Sequence, residues 1–195
     1  DGDRIFVVSG NELVVVDVES RSVLGSVEVF AGHNAELFIS GDEVLHVSQG
    51  WVNRESYPQL YPTVTPGGDA EASFAADSII EPGFYETTRT IVTRISLDDG
   101  RPTVDESIAI DGDYVSSRAV DGVARIVLRS NPQYRFPFVY PQGPAGEERA
   151  EESNRDALLD SELDDWLPGY VLLDANGSVR DEGLLPRCEQ VHAPT

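Results

Sequence analysis

Apolar and polar residues alternate along most of this chain in short runs rich in valine and isoleucine, and each run ends at Gly, Asp or Asn. Alternation with a period of two puts the apolar side chains on one face of a strand, and those terminators supply antiparallel turns. The pattern predicts three groups of strands: 4–9, 13–18 and 23–29; then 35–39, 44–48, 90–97 and 103–110; then 114–120, 123–130, 170–173 and 179–185. Asn176-Gly177 suits a type I′ hairpin turn, and Asp98-Asp99-Gly100 does similar work with one more turn residue. Asp17, Asp98 and Asp174, each closing a strand, are expected to accept backbone N–H bonds, which is a structural duty.

The groups repeat. Asp1-Gly-Asp-Arg-Ile-Phe-Val-Val-Ser9 returns as Ser40-Gly-Asp-Glu-Val-Leu-His-Val-Ser48 and, with one residue of slip, as Asp121-Gly-Val-Ala-Arg-Ile-Val-Leu-Arg-Ser130. A second motif keeps step: Val14-Val-Val-Asp17 with Val23, Ile95-Ser-Leu-Asp98 with Val104, and Val171-Leu-Leu-Asp174 with Val179. Repetition at about 40 residues marks a propeller or solenoid, and four strands per repeat favour propeller blades. The expected fold is all-β: a fragment of a β-propeller with about two and three-quarter four-stranded antiparallel blades. Residues 1–195 form one partial domain, with the remaining blades outside the chain. The chain has no methionine and opens inside a strand pattern, which fits an internal piece of a longer protein.

Two insertions, 49–89 and 131–168, interrupt the repeat, each after the second strand of its group. Strand parity in a meander then puts both at one end of the sheets, together with the blade-to-blade loops that hold His33, Asp111 and Asp113. Connections this long are usually functional or disordered. The first insertion is studded with aromatics, of which Trp51, Tyr57, Tyr61, Phe84 and Tyr85 are candidate contacts. The second adds Tyr134 and Phe136. Rings of this kind bring large contact area at low entropic cost, although they also serve to pin a loop to its own propeller. From 153 to 167, Leu158, Leu159, Leu163, Trp166 and Leu167 recur at helical spacing, predicting a short amphipathic helix stopped by Pro168 and docked on the propeller rim. The charge run 147–152 reads as a solvated segment.

Charge and chemistry narrow the field. Arginine supplies all 14 basic residues against 35 acidic ones, a net charge of −21, so phosphate backbones and anionic lipid faces are repelled and nucleic acid is excluded as a partner. No apolar run approaches the roughly 20 residues of a membrane-spanning helix. Cys188 is the single cysteine, so no internal disulfide forms. It packs as a small hydrophobe or pairs outside the chain. His46 stands where the first repeat has Val7 and reads as a core histidine. No metalloprotease, nucleophile-elbow, phosphate-loop or Cys/His metal spacing is present. The only metal candidates are Asp111 and Asp113, whose oxygens suit Ca²⁺.

The run from Asp1 to Asp17 and the segment Leu163-Asp-Asp-Trp-Leu-Pro168 resemble a bacterial family of secreted or lipid-anchored proteins with a C-terminal β-propeller domain, over essentially all 195 residues. The resemblance implies export to the cell surface and a binding or scaffolding role with no catalytic residues. The expected partner is a protein or a cell-envelope glycan, and no cofactor is expected beyond the Ca²⁺ candidate. The competing expectation is an exported hydrolase or lyase working in the central channel through Asp111, Asp113 and His33.

Overall fold

A computed structural model of the chain describes residues 2–52, 87–131, 138–141 and 143–187. Three antiparallel sheets result. Strands β1 (Arg4–Ser9), β2 (Glu12–Asp17) and β3 (Val23–Glu28) form the first, in that order. The second contains β4 (His33–Ser40), β5 (Glu43–Val52), β6 (Thr87–Asp98) and β7 (Arg101–Asp111), and the third is the hairpin of β8 (Asp113–Val120) and β9 (Val123–Arg129). Each strand expected from the alternation is present. Strands β5 and β6 run further than expected, so Gln49 and Arg89 are strand residues and the first insertion begins only after Val52.

The grouping of the last two strands differs from the repeat. Strands β10 (Gly169–Asp174) and β11 (Val179–Leu184) do not complete a third four-stranded sheet on β9. They extend the second sheet to six strands in the order β11-β10-β7-β6-β5-β4. Strand β10 pairs along β7 from Tyr170↔Ile110 to Asp174↔Glu106, which buries Val171 and Leu173 beside Ile91 and Ala109. A free antiparallel edge accepts any strand of matching period, so the repeat sets the strand and not its neighbour.

The second sheet is sandwiched, which explains why β5 is buried on both faces. One face meets the first sheet through Leu13, Val15, Val29, Val44, Ile95, Leu97 and Val104. On this face His46 is fully buried, whereas its repeat counterpart Val7 lies on the outward face of the first sheet and is exposed. Burial pushes the His46 imidazole down to about 4. The other face of β5 is covered by the β8–β9 hairpin.

Two turns exchange types. Asp99 and Gly100 both have positive φ, 49° and 78°, and link Asp98 directly to Arg101, so this is the two-residue type I′ turn. At Asn176-Gly177 only Gly177 is left-handed, and the Gly177 N–H reaches the Asp174 carbonyl while the Asp174 N–H reaches that of Ser178. That is a type I turn closed by a glycine bulge. Asp17 and Asp174 accept backbone N–H bonds as expected, from Ser20 at 2.7 Å and from Asn176 and Ser178 at 2.8 and 2.9 Å.

The helical segment is longer and broken. Helix α1 (Pro144–Leu159) takes in the charge run expected to be a solvated segment, and α2 (Leu163–Trp166) follows after a corner. Proline in the first turn of α1 starts the helix early, because its missing N–H is not needed there. Ala150 of α1 is buried, whereas Leu158, Leu159, Leu163 and Trp166 are exposed. Leu167, the last residue of the stripe, is half-buried.

Candidate functional site

The end of the sheets from which both insertions depart is defined by four strand ends. Val52 pairs with Thr87, Arg89 with Asp111 and Asp113 with Arg129, and Gly169 abuts Asp111. Strand β4 begins at the same end, where His33 lies opposite Gln49. Both insertions and the β7–β8 junction therefore share one face, as strand parity requires. Among the described residues the far end carries short turns such as Gly41-Asp42, Asp99-Gly100 and Asp121-Gly122.

This face rests on a buried polar frame. Arg89 Nη2 and Asp111 Oδ1 are 2.8 Å apart, with side chains 6% and 13% exposed, and Asp111 Oδ2 accepts the Gly169 N–H at 2.9 Å. The same aspartate thus anchors the start of β10. Gln49 ties β5 to the third sheet: its Nε2 donates to Asp113 Oδ1 at 3.1 Å, and its Oε1 accepts the Tyr114 N–H at 3.1 Å and Asn34 Nδ2 at 3.4 Å. Thr90 Oγ1 donates to the Gly112 carbonyl at 3.1 Å, and the Gly112 N–H reaches the Thr88 carbonyl. These bonds answer polar groups that the long apolar strands carry to their ends, where leaving them unpaired would be costly.

Further along the junction, Ser117 Oγ donates to Glu36 Oε2 at 2.6 Å and lies 2.6 Å from the Tyr114 hydroxyl. Bonds from Ser117 and then Tyr114 hold the Glu36 carboxyl below its ordinary range. Burial, followed by the Glu36 bond, raises the Tyr114 phenol. The trio joins β4 to β8 across two sheets and works as a clamp between them.

Of the binding candidates, Trp51 lies at the rim and is 62% exposed. Tyr57, Tyr61, Phe84, Tyr85, Tyr134 and Phe136 lie outside the described residues, as does Cys188. The metal candidates Asp111 and Asp113 sit at the two ends of one short junction, but their oxygens engage Arg89, Gly169 and Gln49. Among the described residues no group of three or more His, Cys, Asp or Glu is placed to hold a metal ion, and no helix is long and apolar enough to cross a membrane.

Arg89 and Gln49 escaped the sequence reading because both were assigned to the insertion. The available signal was alternation: each continues the period of its neighbouring strand by one residue, where a polar side chain implies a partner.

The family described as the beta propeller domain matches residues 1–195. No curated protein and no solved structure matches the chain. The internal repeat, the stacked antiparallel blades and a family match over the full length agree, and the chain belongs to the beta propeller domain family.

Proposed function

We propose that this propeller is a non-catalytic binding or scaffolding module, exported to the cell surface or beyond, which holds another protein or a cell-envelope glycan on its insertion-bearing end. The observation that carries the reading is convergence: both insertions and the blade-to-blade junctions open at one end, where Trp51 presents most of its ring to solvent. A rigid frame beneath long, aromatic-rich connections is the arrangement of a recognition surface, with the scaffold fixing position and the loops supplying contact. Export rests on the family resemblance, and the strongly acidic surface accords with a soluble exposed domain.

The same frame argues for binding over catalysis. Asp111 and Asp113 already serve neighbouring strands through Arg89, Gly169 and Gln49, and the Ser117 hydroxyl is engaged by Glu36 and Tyr114.

The test is a binding screen of the full chain against cell-envelope polysaccharides and envelope proteins, repeated with Trp51→Ala. The expected result is at least a tenfold loss of affinity with the unfolding curve unchanged. Unaltered affinity in the variant would remove Trp51 from the contact surface.

A further inference from the structure

We propose that the corner between α1 and α2 is a preformed docking knob for a partner protein whose apolar stripe is bordered by arginine or lysine. This deepens the reading of the insertion-bearing end, and rests on it, by naming one contact element and the chemistry of what it meets.

The corner is built around Ser161. Its hydroxyl donates to the Leu158 carbonyl at 2.7 Å and accepts the Trp166 indole N–H at 2.9 Å. Helix α2 is closed by a capping box in which the Glu162 N–H meets Asp165 Oδ2 at 2.8 Å. The backbone is held from a second side, where Asn154 clasps Val139 with bonds of 2.7 and 3.0 Å to its N–H and carbonyl. The polar groups of the corner are thus satisfied from within. Apolar side chains are left outward beside the acidic ones: Leu159 is 76% exposed, Leu163 49% and Trp166 44%. A tryptophan whose N–H is already bonded enters a partner's apolar stripe without stranding a donor, and a fixed corner loses little freedom on binding.

Charge selects the occupant. Asp156, Asp160, Glu162 and Asp165 neighbour these apolar residues along the chain, the arginine beside them, Arg155, is paired with Glu151, and neither helix has a basic residue in its last turn. The carboxyl end of a helix carries partial negative charge, so Asp156 and Asp160 work against α1, whereas Glu162 and Asp165 sit at the favourable amino end of α2. A cationic border on the partner relieves that opposition and turns it into complementarity. A second copy of this chain, at net charge −21, repels instead, as does an anionic membrane.

The test uses the full chain and a fluorescein-labelled amphipathic helix of leucine and lysine, with anisotropy as the readout. A peptide of the same composition but scrambled order, which lacks the apolar stripe, serves as control. Saturable binding is expected for the ordered peptide, at least tenfold tighter than for the scrambled one, weakening with salt and weakening at least tenfold in Leu159→Ser/Leu163→Ser. Both leucines are exposed, so circular dichroism of this variant should match that of the parent. Equal affinity for the two peptides, or an undiminished affinity in the double variant, would overturn the proposal by reducing it to bulk charge attraction. Self-association of the parent chain that the double variant abolishes would overturn it in favour of a second copy. A Trp51→Ala chain is expected to bind the peptide normally, so failure of the corner and failure of the Trp51 rim are separately visible.

Discussion

Arg89 and Asp111 face each other across β6 and β7 as a 2.8 Å ion pair almost withdrawn from solvent, and the second Asp111 oxygen holds the first N–H of β10. One carboxylate therefore joins the edge of the second blade to the strand that enters from the second insertion. Asp111→Ala is expected to cost about 3–5 kcal/mol, because it leaves the guanidinium buried without the carboxylate it faces. Replacing both residues with leucine should recover much of this loss. Denaturant unfolding measures both variants, and a loss below about 1 kcal/mol in the single variant would show that water takes the place of the carboxylate.

His46 gives the blade interface a pH dependence. Burial lowers its imidazole from the usual 6.5 to about 4, and among the described residues neither ring nitrogen has a hydrogen-bond partner. The unfolded chain therefore takes up the proton first. The stabilising contribution of the neutral ring is complete above pH 6.5 and is lost as pH falls from 6.5 toward 4. His46→Val, the residue of the first repeat, should remove about 2 kcal/mol of the loss in stability between pH 7 and pH 5. Unfolding curves of the two proteins at those pH values decide it, and parallel losses would contradict the assignment.

Gly50 is required by Phe30. A Cβ at this position would stand 2.5 Å from a Phe30 ring carbon, on the face where the first and second sheets meet. Gly50→Ala is expected to destabilise by about 1–3 kcal/mol through overpacking. Combined with Phe30→Leu the penalty should shrink, so a double-mutant cycle showing additivity would place the strain elsewhere.

Calcium is expected to leave the melting temperature unchanged. A ligand that binds only the folded state raises it by mass action, but Arg89 already neutralises Asp111, and Gln49 occupies Asp113. A rise of several degrees in calcium over chelator would restore these aspartates as ligands.

The strands and their shared loop end were legible because period-two alternation and meander parity are local rules. Leu13 and Val15 point inward while Val14 and Val16 do not, and that follows from spacing alone. The placement of β10 on β7 was not legible, because β7 and β9 both present free edges of suitable period and a hydrogen bond from Gly169 to Asp111 favours one of them. The frame was hidden for a related reason. Gln49 and Arg89 look like the first and last residues of a loop until the ladder is seen to continue to Val52 and Thr87. The helical corner was half legible: the apolar spacing was plain, but exposure depends on what the rest of the chain leaves uncovered.

On the proposed reading, the insertion-bearing end holds the partner and the blades beneath support it. Val52 and Thr87 are ladder partners, so an Asn-Gly turn can close β5 onto β6 in place of residues 53–86 without disturbing Gln49 or Arg89. The most direct measurement is envelope polysaccharide and envelope protein binding by this closed chain beside the parent, with thermal melts of both. Matching melts and a loss of the interaction in the closed chain are expected; an interaction retained at full strength by a folded closed chain would show that the blades, not the insertion, hold the partner.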